Sequence, residues 1–275
     1  MAKKPSVEFV LRPFEGLPGE PDWVALREVV PAATAPVRTT KEHGARDVVI
    51  TTVLPAGWLA LHRTDGTVLV ALQNNAGSGD ASRDVAAVLL AALELEPGSP
   101  LETAPPVEPG PRLQDVLDLS VPFEVTVHEG FDYWLGSDAE ITSEVTASLE
   151  EANATIVPTR KLTAVDAAYW CRMGAREYLR WAMPHDEQQM IDALARLHAE
   201  RESGIGDARF VGYFRACGVV VPVWDLAPGT EAEELEKPAQ EFLTRFDRAL
   251  ADTSALDPAA RRARAGLVAR QVTLR

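Results

Sequence analysis

If this chain carries chemistry, few stretches can supply it. The densest is VHEGFDYWLGSD, from Val127, which gathers His128, Glu129, Asp132, Tyr133 and Trp134 within seven residues. An imidazole beside two carboxylates could furnish a general acid/base pair. The same letters describe a strand end, a solvated turn and buried aromatics, and we prefer that plainer reading.

A second candidate is TVLVALQNNAGSGDASRD, from Thr67, which reads as a strand, a glycine loop and a helix start. Phosphates bind at such a place, on the free N–H groups of the helix end. The stretch lacks G-x-x-x-x-G-K-[ST] and has no lysine. Asp80 and Asp84 put negative charge where a phosphate would sit, so the expectation is a mobile surface loop.

Metal and nucleophile motifs are equally thin. His43, His62, His128, His185 and His198 never fall three or four residues apart, and spacing of that kind is what places two ligands on one helix face. Cys171 and Cys217 have neither metal nor redox spacing and read as buried thiols in a reducing cytosol. No G-x-S-x-G elbow occurs. The expectation is no cofactor, no metal and no identifiable catalytic residue.

Bulk properties narrow the partners. A formal net charge of −14 over 275 residues repels nucleic acid and anionic membranes, and leaves room for a protein partner with a basic surface. The start, MAKKPSVEF, has no apolar run after its lysines and is not expected to be a signal peptide. No stretch approaches the length of a membrane span, so membrane insertion is not expected and a cytoplasmic setting is.

The elements that would position these residues alternate between helix and strand. Ser6–Leu11 reads as a peripheral strand. Pro13 to Pro21, with three prolines and two glycines, leads into a helix capped by Asp22, with Trp23, Leu26 and Val30 on one face, and Pro31 closes it. Strands follow at Asp47–Leu54 and on both sides of the Asp65-Gly66 turn. Ser82 or Asp80 caps a helix with Val85, Val88 and Leu89 inward. Six prolines between Pro97 and Pro111 make an extended connector. A short helix near Leu113 and a strand over Pro122–His128 complete the first half.

The second half is expected to open at about Ser137. A helix over Asp138–Asn153 carries Ile141, Val145 and Leu149 on one stripe. A hairpin around Gly174 follows, with helix as the alternative for Asp166–Trp181. Next come a helix from Asp186 or His185, strands on either side of Cys217 and Gly218, and a helix over Glu231–Leu250 with Phe242 and Phe246 inward. A terminal helix starts at Asp257-Pro258, and its arginines could lie on the protein's own acidic surface or dock a partner.

Leu26, Glu28, Ala33, Thr34, Pro36 and Arg38 can be matched to Leu149, Glu151, Ala154, Thr155, Pro158 and Arg160, which suggests an internal duplication. The expected organisation is an arm (1–12), a first α/β half (13–136), a second α/β half (137–256) and a basic helix (257–275). The fold class is α/β (α+β), with two similar halves, each a mixed or antiparallel sheet with helices on its faces.

The words RPFEGLPGE, DWVALRE and VPAATAPV, with the MAKK start, resemble an actinobacterial family of unknown function. Its members carry the labels SecA-related or topoisomerase. Longer relatives have a zinc-binding SEC-C-type segment ahead of this core. This chain has no cysteine before Cys171, so the resemblance implies no zinc here. A SecA motor needs a nucleotide loop and a topoisomerase needs basic surface, and neither is present.

The reading is therefore a non-enzymatic module that binds a protein or peptide, with Trp23 and Trp224, near element ends, contributing to its surface. The alternative is an enzyme or small-ligand binder with its site between the halves. Glu129, Asp132, Trp134, Arg172 and Arg176 are its candidate lining residues.

Overall fold

The structure is a computed structural model that describes residues 8–74, 77–106, 108–136 and 139–269. The chain divides into two compact units, 1–156 and 157–275. It contains mixed α/β structure throughout, with one sheet in each unit.

Unit 1 contains α1 (Glu20–Glu28), β1 (Ala33–Arg38), β2 (Asp47–Thr51), β3 (Ala60–His62), β4 (Val68–Ala71), α2 (Ala81–Ala92), β5 (Ser99–Leu101), α3 (Leu113–Val116), β6 (Thr126–Val127) and α4 (Ser143–Asn153). Its six strands run in the order β5-β3-β4-β2-β1-β6. Only β2 and β4 are parallel. β3 and β4 form the hairpin read from Asp65-Gly66, with Gly66 at φ +86° and the Arg63 carbonyl accepting from its N–H.

α1 begins two residues before the expected Asp22 cap. Its N-cap is Gly19, at φ 67°, with Pro21 in the first turn where no intrahelical N–H is needed. Arg12 donates to both carboxylate oxygens of Glu20 at 2.6 and 2.8 Å, which closes the proline-rich lead-in against the helix. α2 is capped by Asp80, one of the two residues offered by the sequence, and Val85, Val88 and Leu89 are fully buried. The strand expected over Ser6–Leu11 does not form across Glu8–Leu11, and Ser6 lies outside the described residues. The connector from Pro97 yields one short strand, β5, at a sheet edge, where Pro100 is tolerated.

Unit 2 contains β7 (Thr159–Lys161), β8 (Ala168–Met173), β9 (Arg176–Trp181), α5 (Glu187–Ala199), β10 (Arg209–Ala216), β11 (Val219–Asp225), α6 (Glu236–Ala251) and α7 (Pro258–Ala269). The sheet is antiparallel throughout, in the order β10-β11-β9-β8-β7. The stretch around Gly174 is a hairpin, not a helix. The core joins Trp170, Trp181 and Trp224 to Met190, Leu194, Phe242 and Phe246. α7 lies along α5 through Ala260 and Leu267, and Arg264 pairs with Asp192 at 2.6 Å. Asp257 accepts from the Ala260 N–H at 2.7 Å, as the Asp-Pro start implies.

Both sheets carry a proline in an interior strand, for one physical reason. β1 pairs with β2 from Thr34 to Arg38 but with β6 only at Ala33 and Thr34, so Pro36 sits where β6 has ended. β11 pairs with β10 throughout but with β9 only from Val223 to Asp225, and Pro222 adjoins that limit. A residue without N–H fits where no ladder bond is due.

The proposed duplication finds no support in this architecture. The strand orders differ, and only the first sheet has a parallel pair. Pro36 lies within β1, whereas its matched Pro158 precedes β7, so aligned letters do not occupy equivalent places.

Candidate functional site

The loop 128–135 of unit 1 does gather the residues read from the sequence. His128 Nε2 lies 2.8 Å from Thr34 Oγ1, and its ring packs on Tyr133 with centroids 4.8 Å apart. The Tyr133 hydroxyl donates to the Val53 carbonyl at 3.3 Å, and the Trp134 indole N–H donates to the same carbonyl at 2.9 Å. Phe131 stacks on Trp134 at 4.3 Å. Trp134 is half-buried and, with Trp58, Val49 and Leu61, rests on a small apolar cluster of Leu54, Leu69 and Ala71. Glu129 and Asp132 are exposed.

Two clamps fix this loop. Arg63 donates to the carbonyls of Tyr133 and Leu135, both at 2.9 Å, and is itself held by both oxygens of Asp65 at 3.2 and 2.6 Å. Asn153, at the end of α4, accepts from the Phe131 N–H at 2.8 Å. Gly130 passes so close that a Cβ there would meet Asp132 Oδ2 at 2.6 Å and Asn153 Nδ2 at 3.0 Å. Sequence reading missed Arg63 and Asn153. Asp65 was visible only as a turn residue, and long-range partners leave no local spacing to find.

Burial holds His128 below its ordinary pKa, with Asp132 acting in the opposite direction, and burial raises Tyr133 despite its hydrogen bonds. Among the described residues no carboxylate hydrogen-bonds the His128 ring, so the orienting member of a catalytic dyad is not assembled.

The other candidates divide between core and scaffold. Trp23 is 1% exposed, stacked on Phe14 and Phe123, with its indole N–H on the Pro18 carbonyl. Trp224 is fully buried and donates to Ser203. These two cannot present rings to a partner, which corrects the surface expectation. Their positions near element ends reflect how large rings close a core from its margins. Arg172 bridges Glu177 and Glu231 at 2.9 and 2.5 Å and lies over Trp170, which fastens the β8–β9 hairpin to the segment before α6. Arg176 is exposed at the hairpin corner. Glu129, Asp132 and Trp134 belong to unit 1, and Arg172 and Arg176 to unit 2.

Asp80 occupies the start of α2. It is fully buried and bound to Arg112 at 2.9 Å, so a carboxylate already fills the place a phosphate would take. The loop around it therefore ends in a buried anchor; its residues 75 and 76 lie outside the described residues. Cys171 is buried as expected, whereas Cys217 is only half-buried, in the β10–β11 turn. No group of three or more His, Cys, Asp or Glu that could hold a metal occurs among the described residues. No helix among them is long and apolar enough to cross a membrane. Unit 2 has a cleft of about 170 Å³ beside Ile205, Ala208, Leu226, Thr230 and Glu234, and Glu234 already accepts from the Glu231 N–H.

α4 stands apart. None of its eleven residues is buried, and Ile141, just before it, is 71% exposed. Thr142 caps it through the Val145 N–H at 3.2 Å.

These features define an α/β protein of two units, one with a mixed sheet and one with an antiparallel sheet. The chain belongs to a family of unknown function, DUF5926, whose model matches residues 13–275. No curated protein and no solved structure matches it.

Proposed function

We propose that this protein is a non-enzymatic cytoplasmic module that binds a protein or peptide partner through α4 and the adjoining loop 128–135 of unit 1. One observation carries the reading. A helix of eleven residues is marginal in water by itself, and most helices gain their stability by burying an apolar face. α4 buries no residue and is joined to the loop through Asn153. Val145, Leu149 and Ala152 are only half-buried on α4, and Ile141, just before the helix, is 71% exposed, an apolar side chain open to a partner. The two free thiols suit a reducing compartment.

The actinobacterial setting and the SecA-related or topoisomerase labels belong to the resemblance alone, and no motor or strand-passing activity is carried over from them. The reading is tested by capture from native cytosol with the wild-type chain and an Ile141→Glu variant of equal thermal stability. A species retained by the first and lost by the second is the expected result. Identical capture by both, or none by either, overturns the reading.

A further inference from the structure

We infer that unit 2 carries a small-molecule site of its own: the cleft between the turn 204–208, the turn after β11 and the start of α6 takes a short aliphatic amine, held by its ammonium group. All the residues that line it belong to unit 2, so the inference is independent of the docking surface proposed on unit 1.

The walls are set by local bonding. Ile205 and Ala208 exchange backbone hydrogen bonds at 3.2 and 2.9 Å, which closes the first turn on itself. Gly206, at φ +54°, lets that turn run over Pro238, where an added Cβ would come within 3.4 Å. After β11 the chain turns again, because the Ala227 carbonyl accepts from the N–H and the hydroxyl of Thr230 at 3.1 and 2.8 Å. Both turns are thus formed before a ligand arrives, which lowers the entropy cost of binding.

The cleft is apolar within and acidic at its exposed side. Ile205, Ala208, Leu226 and Leu235 line it and are buried, whereas Asp207 and Glu234 line it and are exposed. Neither carboxylate forms an ion pair with a described residue, and Glu234 holds only the Glu231 N–H, at 2.8 Å. Their acidic neighbours are already engaged: Glu231 with Arg172, and Glu236 with the N–H groups of Thr163 and Ala164. Arg209 and Lys237, the cations next to the lining in sequence, pair instead with Asp225 and Glu241. The chain as a whole, at net charge −14, draws cations towards it.

An ion with an alkyl stem and a charged head matches this division, as lysine does when it lays its stem on apolar surface and keeps its head in water. A bare divalent cation does not, because calcium takes about six to eight oxygen ligands and these apolar side chains supply none. The volume, about 170 Å³, is close to the ~150 Å³ that holds a benzene-sized molecule and below the roughly 300–1,000 Å³ of drug-sized sites. The stem is therefore only a few carbons long. A lysine side chain presents the same group, so the test separates the two sources.

Amide shifts of the full chain are followed by NMR during titration with n-butylamine, n-butanol, sodium butyrate, N-acetyl-lysine methylamide and magnesium chloride. The expected result is saturable n-butylamine binding with shifts confined to 204–208 and 226–238, roughly tenfold weaker binding of n-butanol and none of butyrate. Asp207→Asn and Glu234→Gln, the latter keeping an acceptor for the Glu231 N–H, should each weaken n-butylamine about threefold and together about tenfold. Ala227→Leu, which crowds the cleft, should weaken it at least about fivefold. Binding of N-acetyl-lysine methylamide weaker than that of n-butylamine supports a free amine, and tighter binding overturns it in favour of a lysine side chain. Equal binding of n-butanol or butyrate overturns the inference, as does n-butylamine binding unchanged in the double variant. Shifts scattered over the acidic surface mark non-specific attraction and overturn it too. Magnesium shifts at the same residues that exceed those of n-butylamine, or no shifts with any probe, likewise overturn it.

Discussion

The Arg63 guanidinium, on the hairpin that closes at Asp65-Gly66, donates to the Tyr133 carbonyl 2.9 Å away across seventy residues of chain. A second bond of equal length reaches Leu135, so one side chain holds the aromatic loop at two points. Replacing Arg63 by alanine leaves both carbonyls without this partner. We expect a loss of about 2–3 kcal/mol in urea unfolding, the range for hydrogen bonds to a charged group. The Trp134 contribution to tryptophan emission, taken as the difference from a Trp134→Phe variant, should shift red in the folded Arg63→Ala protein. An unchanged midpoint and spectrum would refute the clamp.

Asp65 makes that clamp sensitive to acid. Burial pushes its carboxyl up, but the Thr67 N–H, the Arg63 guanidinium and the Thr67 hydroxyl prevail and hold it at about 2. An unfolded aspartate titrates near ~3.9. The depressed folded value means its contribution is fully present above ~3.9 and is lost as pH falls through about 2. Urea midpoints followed from pH 6 to pH 2 should therefore fall less steeply in Asp65→Asn than in wild type over the acid limb. Parallel curves would show that the pairing does not titrate in this window.

His128 should titrate below the free imidazole value, because burial outweighs the nearby Asp132 carboxylate. A folded value lowered in this way makes protonation favour the unfolded chain, so stability declines as pH falls below about 6.5. Ring-proton shifts in NMR give the value directly. His128→Gln should flatten that limb of the stability curve.

Trp224 lies at the centre of unit 2, against Trp181, Phe210 and Phe242. Trp224→Ala should cost about 3–5 kcal/mol by opening a cavity and freeing the Ser203 carbonyl. The substitution Ile141→Glu, at a side chain 71% exposed, should move stability by less than about 0.5 kcal/mol. Calorimetry of the two variants separates core from surface.

Removing residues 257–275 should destabilise unit 2. Leu267 is buried, and Leu267→Ala alone should cost about 2–4 kcal/mol in the same unfolding assay. A truncated chain as stable as wild type would show that α7 contributes no packing.

How legible this was depended on range. Asp80, Asp186 and Asp257 announce helix starts because a cap needs only its next few N–H groups, and Asp65-Gly66 announces a hairpin through its own backbone. The fold class followed from such local rules. The parallel β2–β4 pair did not, because nothing near Val49 specifies Leu69 as its neighbour. The duplication is not confirmed, since Pro36 and Pro158 match as letters while one lies within β1 and the other precedes β7. Among site residues, the grouping of His128, Asp132, Tyr133 and Trp134 was visible through proximity in sequence. Trp23 and Trp224 were misjudged because position in an element says little about how many neighbours a ring collects.

Pro36 has a consequence for how copies of this molecule behave when crowded. It lies exposed on β1, between the stretch paired with β6 and Arg38, whose carbonyl accepts from Asp118. In that gap the strand can answer an incoming chain with a carbonyl but not with an N–H. A foreign strand therefore finds no reciprocal register there, and growth of ordered aggregates from this edge is opposed by a single ring.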